Sequence, residues 1–272
     1  MNNTESKTTE PNGIVSERMD IGVIGTGEFA SYLIDGFMRD KADTSIIVSP
    51  RGREHSAQLA KRYGVRIARD NAEVVACADM VLIATRPAQL IEAIANVPWR
   101  AGQLAISVAA GISHKELSAQ VAPADAVLCM PTNSAMIGAS ILPMYPAHHK
   151  AGQLLKALGE PVVMPNESAF EASAVLGAHY GFVLALLSTT CDWLTQHGIA
   201  TKEARLLSSR LFESVGKISA HRSEKGLQEL VGELRLPGGI TEFGLVALAE
   251  KQTYDSFSEV LTGVLNRLNQ RY

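Results

Sequence analysis

The 272-residue sequence predicts an α/β chain: a doubly wound parallel sheet followed by an all-helical unit. Three observations carry that expectation. Short, near-continuous apolar runs alternate with helical patterns as far as Met164, and strands that apolar need helices on both faces. After Pro165 the strand signal stops and long helical patterns replace it. A glycine-rich turn, "GTGEFA", joins the first strand to the first helix. The expected organisation is a disordered tail over 1–18, a sheet domain over 19–164 and a helical domain over 165–272.

Taken in order, "IGVIG" is a strand and Glu28 to Met38 a helix. "SIIVS" is the second strand, followed by a polar helix from Arg53 to Tyr63. "VRIA" is short, and "DNAEVVACA" has Asp70 or Asn71 as a helix cap. "DMVLIAT" leads to a helix after Pro87, and "QLAISVA" to one from His114 to Gln120. "AVLCM", "SILPM", a helix in "GQLLKALG" and a last strand, "PVVM", complete the sheet domain. Beyond it one helix runs from Glu167 to His197 and stops at Gly198, and Thr201 caps the next. Two shorter helices flank "LPGG", and "DSFSEVLTGVLNRLNQ" is the last.

Composition narrows the function classes. A net charge of −3 gives no basis for binding nucleic acid or an anionic membrane. The first 18 residues lack an apolar stretch, so they read as neither signal peptide nor anchor. Cys77, Cys129 and Cys191 show no CxxC spacing and read as small buried thiols in a reducing cytoplasm. His148–His149 has no companion ligands for a metal. The apolar run Ala174–Leu187 is interrupted by His179 and Tyr180, falls short of a membrane span and reads as a buried helix. A helical half this apolar on several faces is expected to pack against a copy of itself.

The turn carries the chemistry. Gly25-Thr26-Gly27-Glu28-Phe29-Ala30 is a GxGxxA fingerprint in the strand–turn–helix context of a Rossmann dinucleotide site. Gly25 permits the sharp turn, Gly27 lets a pyrophosphate approach, and the helix N–H groups meet its charge. An NAD site usually has an acid about 20 residues further on. Here Ser49 stands there, with Arg51 and Arg53 close behind, which suits the extra phosphate of NADP(H). The alternative leaves both arginines as solvated surface charges. Ligands of such sheets bind at the carboxyl ends of strands. That adds Ala84, Thr85, Arg86 and Pro87 after one strand, Ala109 and Gly111 after the next, and Asn71 as cofactor-facing candidates.

"GVIGTGEFA", "DNAEVV", "VLIATRPAQ", "ISVAAGIS", "LCMPTNSAMIG" and "LPGGITEFGL", in this order, resemble the pyrroline-5-carboxylate reductase family over nearly the whole chain after the tail. The resemblance implies a Rossmann domain followed by a helical domain that dimerises by interlacing, with larger ring-shaped assemblies of dimers in some members. It also implies that the Pro-Gly-Gly-x-Thr turn, here Gly238, Gly239 and Thr241, binds the substrate carboxylate. A glycine pair ahead of a helix suits that role, because it leaves amides at the positive end of the helix dipole.

Departures from the family are as informative. Its Ser-Gly-Ser-Gly-Pro-Ala-Tyr segment is "LGAHYGF" here, retaining Gly177 alone in register, and its Met-Pro-Asn-Thr-Pro is "MPTNSA". Arg86 stands where a lysine is common. Thr241, Gly239, Gly238, Tyr180, His179 and Asn133 are the candidate substrate-side residues. The expected activity is NADPH-dependent reduction of a cyclic imino acid, with an altered substrate. The alternatives are a reductase of another imine or keto acid, and a non-catalytic dinucleotide-binding protein.

Overall fold

The computed structural model describes residues 19–39 and 44–270. The expected disordered tail over 1–18 lies outside the described residues. The chain alternates as β1 (Met19–Ile24), α1 (Glu28–Met38), β2 (Thr44–Val48), α2 (Arg53–Tyr63), β3 (Arg66–Ile67), α3 (Asn71–Cys77), β4 (Met80–Ile83) and α4 (Pro87–Ile94). It continues as β5 (Leu104–Ser107), α5 (His114–Val121), β6 (Asp125–Cys129), a short 3-10 helix (Asn133–Ile137), β7 (Ser140–Tyr145), α6 (His149–Leu155) and β8 (Gly159–Val163). The strands form one sheet in the order β3-β2-β1-β4-β5-β6-β7-β8.

Strand residues alternate between two cores. Ile21, Val23, Leu82 and Ile106 face α1, whose Leu33, Ile34 and Phe37 are buried against them. Ile24, Val81, Ile83 and Ala105 face the opposite way, onto Val74, Leu90, Ile94 and Leu117. This two-sided burial is why these strands read as unbroken apolar runs. Local caps hold the helices in place. The Asp70 side chain accepts from the Glu73 amide at 2.8 Å, and Ser113 and Glu116 form a capping box on α5.

One expectation about the sheet is corrected. It is not parallel throughout: β6 and β7 pair antiparallel, Leu128 opposite Tyr145 and Cys129 opposite Met144. The residues between these strands, 130–139, hold only the 3-10 helix. A parallel return needs a crossover of about a dozen residues or more, so the chain folds straight back.

The helical half comprises α7 (Glu167–Gln196), α8 (Thr201–His221), α9 (Leu227–Leu234), α10 (Ile240–Glu250) and α11 (Thr253–Asn269). Asn166 caps α7 through the Ala169 amide, and Phe170 plugs into the sheet core. Thr201 does not cap α8. It is the first helical residue, with Ala200 at the cap position and no side-chain cap bond.

Nor is α7 a buried helix within one chain: only Phe170 and Val175 on it are buried. By length and composition it is also apolar enough to cross a membrane. On α8, Leu207, Leu211, Val215 and Ile218 recur at helical spacing, all half-exposed or more. Cys77 is exposed and Cys191 partly so, leaving Cys129 as the one buried thiol among the described residues.

Candidate active site

The sheet's switch point lies between β1 and β4, where the chain leaves in opposite directions. Gly25 sits at the carboxyl end of β1 with φ +94°. Its amide donates to Ser49 Oγ at 2.9 Å, and Ser49 is fully buried. The Thr26 hydroxyl donates to the carbonyl oxygens of Ser49 and Arg51. Thus Thr26 and Ser49, both expected to face the cofactor, instead tie the first turn to the end of β2. Gly52, which the sequence reading passed over, packs against the Thr26 carbonyl oxygen so closely that any side chain would collide with it. The Arg-Gly-Arg run after a strand was the signal for that turn.

Gly27 is the cap residue of α1, and a Cβ there would meet no atom within 4 Å. That open space above a helix N-terminus is what a pyrophosphate requires. Glu28 is exposed and accepts from the Tyr32 hydroxyl at 2.5 Å, which raises the tyrosine pKa. Phe29 turns inward and packs on the core. At the end of β4, the Ala84 amide donates to the Ile24 carbonyl at 2.8 Å. Next to it Thr85 Oγ1 is buried with no hydrogen-bond partner among the described residues. A buried hydroxyl left without a partner is costly, and at this position it is suited to a nucleotide's sugar or phosphate oxygens. Arg86 is exposed at the cap of α4, and Pro87 opens that helix.

On the other side of β1, Arg51 and Arg53 are both exposed, as a site for the additional phosphate demands. Arg51 Nη2 lies 3.3 Å from Glu92 Oε1, a solvent-screened pair, whereas Arg53 makes no ion pair among the described residues. Asn71 donates from Nδ2 to the Ala93 carbonyl at 2.9 Å and so braces α3 against α4. It lines a shallow pocket with Pro50, Arg51 and Glu92.

Beyond β5, Ala109 and Gly111 line a crevice closed by Met130, Phe170, Glu171 and Leu268. This is where the sheet domain and the ends of α7 and α11 meet. Asn133 is exposed at the start of the 3-10 helix. Thr132 is buried, bonded to Ser134 Oγ at 2.7 Å and Ser140 Oγ at 3.2 Å.

None of the substrate-side candidates lines the crevice at Ala109 and Gly111. The His179 ring meets Phe257 of α11 edge-on at 5.2 Å. The neighbouring Tyr180 is half-buried, and its hydroxyl makes no hydrogen bond among the described residues. The turn of Gly238, Gly239 and Thr241 is exposed or nearly so, and none of it lines the crevice at Ala109 and Gly111. The expected glycine donors are already engaged. The Gly238 amide donates to Glu242 Oε2 at 2.8 Å, and that of Gly239 to the Leu236 carbonyl at 2.9 Å. Among the described residues, the amides of Ile240, Thr241 and Glu242 and the Thr241 hydroxyl are left without partners. Sequence reasoning missed Glu242. It stands three residues after the cap Gly239, the spacing from which a carboxylate reaches back to the turn.

Comparison with known proteins agrees with this architecture. Residues 20–111 match the family model described as NADP oxidoreductase coenzyme F420-dependent, and residues 167–271 match that of pyrroline-5-carboxylate reductase dimerisation. Pyrroline-5-carboxylate reductase of Pseudomonas aeruginosa is 27% identical, over 92% of this chain and 94% of its own. Pyrroline-5-carboxylate reductase 2 of Bacillus subtilis is 25% identical, over 85% and 87%. Among solved structures, 1-pyrroline-5-carboxylate reductase from Streptococcus pyogenes superposes with a TM-score of 0.82 at 20% identity, over 94% of this chain and all of that one. The Plasmodium falciparum pyrroline carboxylate reductase with NADP bound gives 0.81 at 16% identity, over 94% and 98%.

Fold and crevice together define an NAD(P)H-dependent oxidoreductase with a helical homodimerisation domain. Within that class, the chain is similar to pyrroline-5-carboxylate reductases over most of its length, and its helical half matches the family model of their dimerisation domain.

Proposed function

We propose that the protein reduces the C=N bond of a cyclic imine with NADPH, at a site completed by the helical domains of a homodimer. The carrying observation is the alignment along one sheet edge of the open Gly27 position, the unpartnered Thr85 hydroxyl and the crevice at Ala109 and Gly111. NADPH, when bound, supplies the hydride. Gly25, Gly27 and the first turn of α1 hold its pyrophosphate, Thr85 bonds a sugar or phosphate oxygen, and Arg51 and Arg53 face the additional phosphate. Ala109 and Gly111 leave room for a flat ring, so the imine carbon can be held close to the reacting face.

An iminium carbon is already electrophilic, so the chain's chief task is positioning. Tyr180, with its free hydroxyl, is the better candidate to bond the substrate nitrogen. His179 serves packing through Phe257. A keto-acid reductase of this architecture would usually use a lysine on the long helix as general acid, and α7 contains no lysine. The Pro-Gly-Gly turn does not reach the crevice of its own chain, which supports its entry from the partner. The exposed apolar faces of α7 and α8 then form the dimer core, accounting for an apolar helix with no membrane. Rings of such dimers and a cytoplasmic location, suited to three unpaired cysteines, complete the reading. The substrate is 1-pyrroline-5-carboxylate, giving proline, or a differently substituted cyclic imine.

The test is purified protein with NADPH and a panel of cyclic imines. Imine-dependent loss of NADPH supports the reading. Tight NADPH binding with no turnover on any imine would leave the non-catalytic alternative.

A further inference from the structure

The crevice at Ala109 and Gly111 is walled by small residues and by the apolar side chains of Met130, Phe170 and Leu268. Glu171 is the one charged side chain in its lining. It is partly buried and makes no hydrogen bond or ion pair among the described residues. Its backbone is pinned from three sides. Asn166 caps α7 through the Ala169 amide, Glu167 Oε1 accepts from the His114 amide at 2.6 Å, and Phe170 is buried in the sheet core. Glu167 thus ties the first turn of α7 to the start of α5, while Glu171, one turn further on, is left untied. Glu171 also borders an outer cleft against α5, yet Lys115 in that cleft forms no ion pair with it among the described residues. A carboxylate partly out of water beside apolar groups is costly unless a cation or a donor meets it.

We propose that Glu171 is a catalytic residue: its carboxylate meets the nicotinamide ring in this crevice and stabilises the positive charge that the ring acquires as hydride leaves. The inference rests on the cofactor placement and imine reduction given above and deepens that reading. In the step, the C4–H bond breaks and its electron pair forms the new C–H bond at the imine carbon. The C=N π pair stays on nitrogen as a lone pair, so the iminium is neutralised, the imine is reduced and NADPH is oxidised. The reduced ring is neutral and the oxidised ring carries one positive charge. A fixed carboxylate therefore interacts more strongly with the ring as the reaction proceeds. Such a differential interaction, at a site held rigid beforehand, is what accelerates a chemical step. The crevice lining holds no lysine or arginine among the described residues to compete for the carboxylate.

Two variants of the full-length protein test this. Glu171→Gln keeps the size of the side chain and removes its charge, and Glu171→Asp keeps the charge on a shorter arm. Calorimetric titration with NADP+ and, separately, with NADPH reads the claim without turnover, because the two nucleotides differ at the ring alone. Glu171→Gln is expected to weaken NADP+ about tenfold and NADPH much less, the size of one partly screened charge pair. Glu171→Asp should recover part of that difference. A side chain that only braced α7 would shift both nucleotides equally. In single-turnover assays with a cyclic imine, hydride transfer should slow about tenfold in Glu171→Gln. Equal changes for NADP+ and NADPH, or an unchanged rate of hydride transfer, overturn the proposal. A selective loss of NADP+ with no imine reduced by any form would sustain Glu171 at the ring and sink the reductase reading instead.

Discussion

A Cβ placed on Gly25 would lie 2.8 Å from the carbonyl oxygen of Ala84, so the end of β1 and the end of β4 touch through a position where only hydrogen fits. The backbone there has φ +94°, which a side chain rarely adopts. Gly25→Ala should therefore cost on the order of 1–3 kcal/mol of stability and also lose NADPH binding. Gly27→Ala meets open space and should leave the melting temperature unchanged while still weakening NADPH, because its methyl enters the pyrophosphate's volume. Thermal melts paired with NADPH titrations separate the two outcomes. Equal melting temperatures for both variants would contradict this account of the turn.

The additional phosphate of NADPH should depend on Arg51 and Arg53. Replacing both with alanine is expected to weaken NADPH by about tenfold or more and NADH little, since charge-assisted arginine–phosphate bonds are lost from one ligand only. Glu92→Gln releases Arg51 from its exposed partner and should raise NADPH affinity slightly. Equal losses for the two nucleotides in the double variant would remove the arginines from the site.

Thr241 keeps a free hydroxyl in a turn whose glycine amides are engaged. Thr241→Ala should raise KM for the imine several-fold, the usual effect of losing one hydrogen bond, and leave the Kd of NADPH nearly intact. Steady-state kinetics beside nucleotide titration measure both. A changed NADPH affinity with unchanged KM would refute the assignment.

The α8 stripe should govern assembly. Leu211→Lys combined with Val215→Lys places two charges on a face that is apolar and uncovered within one chain, and is expected to yield monomers by light scattering. Retention of dimers would move the interface elsewhere.

Acid should loosen the sheet domain through Glu73. The amide of Arg69, then its guanidinium, then that of Arg66 hold this carboxyl down at about 2 against an ordinary 4.5. The unfolded chain therefore binds the proton first as pH falls. The stabilisation is full above pH 4.5 and is lost as pH drops from there towards 2. Glu73→Gln should flatten the stability–pH slope inside that window, measured by denaturant unfolding at stepped pH. An unaltered slope would count against the pairing.

Much of this fold was legible in the chain because local chemistry and tertiary burial agree. Helix α1 and helix α2 run over the residues expected of them, Glu28 to Met38 and Arg53 to Tyr63. The antiparallel β7 was hidden because strand direction depends on the length of the connection, which composition does not announce. The expectation that α7 is buried failed within the single chain for a similar reason: its apolar faces answer to a surface the chain does not itself supply. In the site, the fingerprint was readable as a motif, but the inward roles of Thr26 and Ser49 were not. A hydroxyl that ties two loops together and one that contacts a ligand look alike in sequence. Glu242 was overlooked because attention fell on the glycines, although its spacing from Gly239 carried the signal.

The most direct measurement of the central claim is the fate of deuterium when NADPH labelled at C4 of the nicotinamide is mixed with the protein and a cyclic imine. Mass and NMR spectra of the product should show one deuterium on the former imine carbon, at a single stereochemical face. A product without deuterium, or nucleotide that binds and stays reduced before every imine offered, would contradict imine reduction at this crevice.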